Sequence, residues 1–129
     1  MLGIIPWAPI PAGKEAMERY MRKVRERAGE AAGKVVGVRY LVQSEPPGTM
    51  LRDRFIEGLR WLGREGLSFD LGVDYRSGGP WQLKEAVEMI RRVNEEVEEK
   101  ERVVFVISEL LKSHLNPNFL REHLLIVKM

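Results

Sequence analysis

The sequence predicts an α/β fold in which parallel strands alternate with helices. The hydrophobic pattern switches several times between short apolar or β-branched runs and apolar residues at helical spacing. The strand-like runs begin near residues 3, 35, 67 and 103, so each strand-plus-helix unit takes roughly thirty residues, the usual length of a βα unit. We therefore expect about four βα units around one parallel sheet.

The first half of the chain contains two of these units. An apolar run at residues 2–7 predicts a strand, and apolar residues between 17 and 31 recur at helical spacing. Residues 34–42 are rich in β-branched side chains, and residues 55–62 after a Pro-Pro-Gly turn predict an amphipathic helix. Gly66 follows this helix, where a glycine in the left-handed conformation commonly ends a helix.

The second half of the chain continues the same alternation. Residues 67–75 predict a strand, and Pro80 suits the first position of a helix whose apolar face extends from 83 to 97. Residues 103–107 predict another strand, after which the pair Asn116–Pro117 suits the cap and first position of a last amphipathic helix.

Length, charge and cysteine content limit the classes of protein. The 129 residues predict a single domain, 1–129, because no linker or low-complexity segment divides them. The net charge is only +2, and the basic residues of the first helix alternate with glutamates, which favours a solvated helix face over a nucleic-acid site. The chain has no cysteine, and its proline-broken apolar start is unlike a signal peptide. We expect a cytoplasmic protein without nucleic-acid or membrane partners.

Polar side chains near the ends of the predicted strands are the candidate site, because ligands of parallel sheets bind at the carboxyl ends of the strands. Arg39 and Gln43 lie four apart on one strand face and are predicted to line a binding mouth; the alternatives are a structural ion pair or a buried amide. Asp74 ends the next strand and is a candidate ligand contact. Asp70, deeper in the sheet, is expected to be held by a buried hydrogen bond or salt bridge.

The segment "RSGGPW" at residues 76–81 places two glycines before a helix start. Free backbone N–H groups and the helix dipole favour an anion there, and Arg76 would contribute a positive charge. The segment lacks the lysine and spacing of a phosphate-binding loop, so an ordinary tight turn is the alternative.

Longer stretches of the chain resemble a known family. "GVRYLVQSEPPGTMLRDRFIEGLRWLGREGLSFDLGVD", "WQLKEAVEMI" and "VVFVIS", within residues 4–108, are similar to the amidohydrolase-related family of metal-dependent hydrolases, in the branch of the sugar-lactone and pyrone-dicarboxylate lactonases. The resemblance implies part of a TIM-type (β/α)8 barrel, with Arg39, Gln43, Asp74 and Arg76 lining the mouth for a small lactone or carboxylate substrate. It also implies hydrolysis of a lactone, or of a similar cyclic ester or amide.

The resemblance further implies a divalent, zinc-like metal, which polarises the carbonyl and acidifies its bound water. The family's H-x-H pair is missing from this chain, so we do not expect the metal to be retained or the isolated chain to be active. One alignment register places Glu109 where the family has a histidine after the strand at 103–107. A second register places His114 there as a metal ligand. Residues 109–129 are a divergent C-terminal tail.

Three functional hypotheses follow from the sequence. The first is a fragment of a lactonase-like hydrolase. The second is a non-catalytic, truncated half-barrel with unpaired sheet edges near residues 2–7 and 103–107, which pairs with itself as a homo-oligomer or with another chain. The third is a small α/β module that binds an anionic metabolite at residues 76–81.

Overall fold

The computed structural model describes residues 5–42, 45–72, 80–108, 115–123 and 126–128. Helices and strands alternate along these residues, and short 3-10 turns connect some of them. The elements in chain order are α1 (Lys14–Ala28), β1 (Gly37–Leu41), α2 (Asp53–Arg64), β2 (Ser68–Gly72), α3 (Pro80–Asn94), β3 (Val104–Ser108), α4 (Pro117–His123) and β4 (Ile126–Lys128).

The four strands form one parallel sheet in the order β1-β2-β3-β4. Before β1, Trp7 forms a parallel bridge with Arg39 on the outer side of β1. Spatial order therefore follows chain order, and a helix lies between each pair of consecutive strands, as expected for successive βα units. The predicted α/β class is confirmed.

The core lies between the sheet and helices α1 to α3. Phe55 of α2 contacts Phe69 of β2 with ring centroids 6.3 Å apart, and Phe69 contacts Phe105 of β3 at the same distance. All three rings are fully buried, and edge-to-face rings of this kind add to the free energy of burial. This aromatic row joins the helix layer to the two central strands.

Glycine and asparagine set several helix ends, as the sequence predicts. Gly66 has a φ of 71° directly after α2, a conformation that favours glycine. Asn116 caps α4, because its Oδ1 accepts a hydrogen bond of 2.8 Å from the backbone N–H of Asn118. Pro80 and Pro117 are the first residues of α3 and α4.

The strand pairing near the carboxyl end of the chain differs from the sequence prediction. We expected a free sheet edge at residues 103–107, but β4 pairs in parallel with β3, with Val106 opposite Ile126 and Ser108 opposite Lys128. The sequence signal was weak because the apolar run before Lys128 is short. The edge prediction at 103–107 is therefore wrong, and β4 now has the outer position among the described strands.

Candidate functional site

The two faces of the sheet have different chemistry. Phe69 and Phe105 face the helices, so strand alternation places their neighbours Asp70 and Val106 on the opposite face. The strand register aligns Arg39 with Asp70 and Asp70 with Val106 across three strands. We call this face, which carries Arg39, Asp70 and Val106 and lies opposite the described helices α1 to α3, the helix-free face.

An ion pair between neighbouring strands is the main polar feature of the helix-free face. Arg39 Nη2 lies 3.2 Å from Asp70 Oδ2, and the arginine donates a hydrogen bond to the carboxylate. The Arg39 side chain is 53% exposed, whereas the Asp70 side chain is 6% exposed. The buried carboxylate thus orients the guanidinium of a side chain that is about half exposed.

The strand positions beside this pair have little space for side chains. A Cβ added to Gly37 would lie 2.3 Å from Ser68 Oγ and 2.5 Å from the Ser68 carbonyl oxygen. A Cβ added to Gly72 would lie 2.6 Å from a methyl carbon of Leu41. Leu41 itself is 56% exposed, so an apolar side chain borders the arginine towards the carboxyl end of β1.

The segment after β1 folds back onto the strand. Tyr40 Oη donates a hydrogen bond of 2.5 Å to Glu45 Oε1. Burial raises the pKa of the Tyr40 hydroxyl to about 12, and the hydrogen bond to Glu45 and the charge of that carboxylate act in the same direction. Tyr40 also contacts Trp7, with ring centroids 5.8 Å apart.

The same segment is tied to the first turns of α3. Gln82 Nε2 donates a hydrogen bond of 3.3 Å to the carbonyl oxygen of Val42. Glu85 Oε1 accepts one of 2.5 Å from the backbone N–H of Gly48. Gln82 and Glu85 are both buried.

Comparison with known proteins shows which proteins this chain is similar to. No protein-family model matches the sequence. The chain is 35% identical over 135 aligned residues to L-rhamnono-gamma-lactonase of Scheffersomyces stipitis, an alignment that covers 98% of this chain and 38% of that protein. This match supports a relationship to the lactonase-like, amidohydrolase-related proteins. The chain spans well under half the length of this relative.

A solved structure supports the fold assignment. The chain superposes on a crystal structure of an amidohydrolase from Burkholderia multivorans with a TM-score of 0.53 and 17% identity, over 95% of this chain and 51% of that one. The amidohydrolase neighbour implies a TIM-barrel fold, of which this chain shows a part. The parallel strands of this chain, which lie side by side in chain order, correspond to one arc of a barrel sheet.

The predicted family site is only partly visible in the described residues. Arg39 is placed on the helix-free face and forms the ion pair that the sequence left open as an alternative. Asp70 is buried and hydrogen-bonded as predicted. Gln43, Asp74, Arg76 and His114 lie outside the described residues, as do Glu109 and residues 76–79 of the predicted anion site.

Among the residues that the structure describes, no three His, Cys, Asp or Glu side chains lie close enough to hold a metal ion. The described residues therefore do not fit the family's metal. Within the same ranges, no helix combines the length and apolar character needed to cross a membrane.

Sequence reasoning missed the contacts around the segment after β1. It singled out Gln43 but not Tyr40, Glu45, Gln82 or Glu85. The sequence pattern could have indicated Gln82 and Glu85. They are three apart on the helix face that also carries the buried Ala86 and Met89. Polar residues on a buried face need hydrogen-bond partners, and the preceding loop supplies them here.

Proposed function

We propose that this chain carries part of the substrate-binding side of a lactone-hydrolysing barrel. Arg39 binds a carbonyl or carboxylate oxygen of a small lactone or of its hydroxy-acid product. The observation that supports this proposal is the half-exposed Arg39 guanidinium, held by the buried Asp70 on the helix-free face. The relationship to a protein described as a rhamnonolactonase favours a sugar lactone.

The ion pair suits Arg39 for this role. An arginine presents several N–H donors in one plane and binds carboxylates with two parallel hydrogen bonds. Asp70 uses one of these donors and limits the rotation of the guanidinium. A preoriented donor loses less side-chain entropy when it binds a ligand.

We propose that the isolated chain binds its ligand without hydrolysing it. Lactone hydrolysis needs a water molecule activated by a base or a metal to attack the carbonyl carbon before the ring C–O bond breaks. The described residues supply no group of metal ligands, and a catalytic zinc usually needs about three protein ligands.

Binding experiments with a sugar γ-lactone and its aldonate test this proposal. We expect Arg39→Met to weaken binding by at least about tenfold, because a charge-assisted hydrogen bond is lost. Arg39→Lys should have an intermediate effect, since it keeps the charge but loses the planar donors. Arg25→Met is the matched control, because Arg25 is a half-exposed arginine that pairs with Glu65 on the helix layer.

Two results would argue against this function. Unchanged affinity in Arg39→Met would remove Arg39 from the site. Lactone hydrolysis by the purified chain that depends on added Zn²⁺ would contradict the expectation that it binds without turnover.

A second candidate function is a non-catalytic half-barrel that pairs with a second copy. Ala8 donates to the Arg39 carbonyl and Arg39 donates to the Pro6 carbonyl, so the N–H and C=O groups of Trp7 point away from β1. Trp7 is 51% exposed at this edge. An exposed strand edge with an apolar side chain favours pairing with another strand.

Light scattering after size exclusion tests the pairing. We expect a concentration-dependent dimer that Trp7→Lys dissociates, since a charge at a strand edge opposes pairing. Trp81→Lys is the control, because Trp81 is 37% exposed on α3. A parent chain that stays monomeric at its highest soluble concentration would exclude this candidate.

A further inference from the structure

The loop between β1 and α2 has an ordered conformation within its described residues, Val42 and 45–52. The backbone N–H of Glu45 donates to the Val42 carbonyl at 3.0 Å, and Thr49 Oγ1 donates to the Pro46 carbonyl at 2.9 Å. Thr49 and Met50 are almost fully buried. This loop follows the carboxyl end of β1, the end at which barrel enzymes bind ligands.

The loop can offer few backbone donors to its neighbours. Pro46 and Pro47 have no N–H group, so Gly48 supplies the next donor after Glu45. Gly48 has a φ of 93°, a left-handed conformation that an L-residue with a side chain rarely adopts. The N–H of Gly48 is the group that Glu85 accepts.

The two α3 side chains that hold the loop are unusual choices for buried positions. Gln82 is fully buried and Glu85 is 8% exposed, although burying an amide or a carboxylate costs free energy unless hydrogen bonds compensate. An apolar side chain would satisfy packing alone at either position. Both polar groups instead contact the backbone of the loop, at Val42 and at Gly48.

We propose that Gln82 and Glu85 are positioning residues that fix the β1–α2 loop for ligand binding. Val42, whose carbonyl Gln82 holds, is joined through the backbone to Leu41 and β1. The contact therefore ties α3 to the strand that carries Arg39. This role rests on the proposed function, since it assigns to α3 the task of shaping the mouth beside Arg39.

Hydrogen exchange and ligand affinity together test the proposal. We expect Gln82→Leu and Glu85→Leu to accelerate exchange in the loop by about tenfold or more, the factor of one lost hydrogen bond, with Gly48 most affected in the second variant. Both should weaken binding of the aldonate severalfold. Glu85→Gln keeps an acceptor oxygen and should restore most of both properties.

Arg60→Met is the matched control for general loosening of α3. Arg60 donates to the carbonyl oxygens of Arg92 and Val93 at the opposite end of this helix, at 2.6 and 3.4 Å. This variant should lower the melting temperature without changing loop exchange or affinity.

Failure of the positioning role and failure of the proposed function give different results. Unchanged Gly48 exchange in Glu85→Leu, or an equal acceleration in Arg60→Met, would overturn the positioning role. If the parent chain binds neither lactone nor aldonate, the proposed function fails. Exchange at Gly48 then decides by itself whether Glu85 holds the loop.

Discussion

The two faces of the sheet differ in burial and in charge. The helix side holds an aromatic row, Phe55, Phe69 and Phe105, without exposed area. The helix-free face holds an arginine that is half exposed and a buried aspartate on the neighbouring strand that pairs with it. Stability should therefore depend on the first face and ligand chemistry on the second.

This division follows from strand geometry. Successive residues of β2 point to opposite faces, so Phe69 and Asp70 are neighbours in sequence but serve different layers. In a closed barrel the corresponding face is the interior, and its carboxyl end is where active sites lie. Substitutions of adjacent residues can test the division directly.

The largest effect is expected from Phe69→Ala. Removing a fully buried ring that contacts two others should lower the free energy of unfolding by about 3–5 kcal/mol. Chemical denaturation monitored by circular dichroism measures this change. The control Phe69→Leu should lose clearly less unfolding free energy than Phe69→Ala. A small loss in Phe69→Ala would mean that the aromatic row is not the centre of the core.

A smaller loss is expected from Arg39→Met on the opposite face. Asp70 would stay buried without its arginine, which should cost about 1–2 kcal/mol of unfolding free energy. Adding Asp70→Asn should recover part of this loss, because the unpaired charge is then removed. Additive effects in the double variant would contradict a direct interaction between the two side chains.

Tyr40→Phe should produce a still smaller, pH-dependent change. The pKa of Tyr40 is raised to about 12 in the folded chain, above the ordinary value near 10. Folding thus favours the protonated hydroxyl. The contribution of Tyr40 to the free energy of unfolding is therefore complete below pH 10 and is lost as pH rises towards 12.

Between pH 9 and pH 11.5, the free energy of unfolding measured by denaturation should therefore fall more in the parent than in Tyr40→Phe. Because water screens this partly exposed pair, the difference should be at most about 1 kcal/mol. Equal pH dependence in both proteins would indicate that Tyr40 ionises normally.

The smallest effect is expected from Leu41→Thr. Leu41 is more than half exposed on the helix-free face, so the free energy of unfolding should change by less than about 0.5 kcal/mol. A thermal melt suffices to check this. A large destabilisation would mean that Leu41 packs against part of the chain.

The sequence predicted the elements better than the site. Periodicity located α1 to α3 and β1 to β3, because each has a long apolar face or a β-branched run. It missed β4, a three-residue strand, since so short a run depends on its neighbour β3 for pairing. Helix ends at Gly66 and Asn116 were predictable because their conformations and caps are local.

The candidate site depended on contacts between distant residues. Spacing along one strand placed Arg39 on a face but did not identify Asp70, 31 residues away, as its partner. The bond from Gln82 to Val42 spans 40 residues and is equally invisible in periodicity. Family resemblance supplied the chemistry that periodicity cannot, because fold alone does not determine function.

The most direct test is a titration of ¹⁵N-labelled chain with a sugar aldonate, followed by chemical-shift changes at backbone amides and at Arg39 Nε. We expect the changes to concentrate at Arg39 and at the carboxyl ends of β1 and β2. Amides of the helix layer should move little. Shifts confined to the helix layer, or none at saturating ligand, would contradict a binding site on the helix-free face.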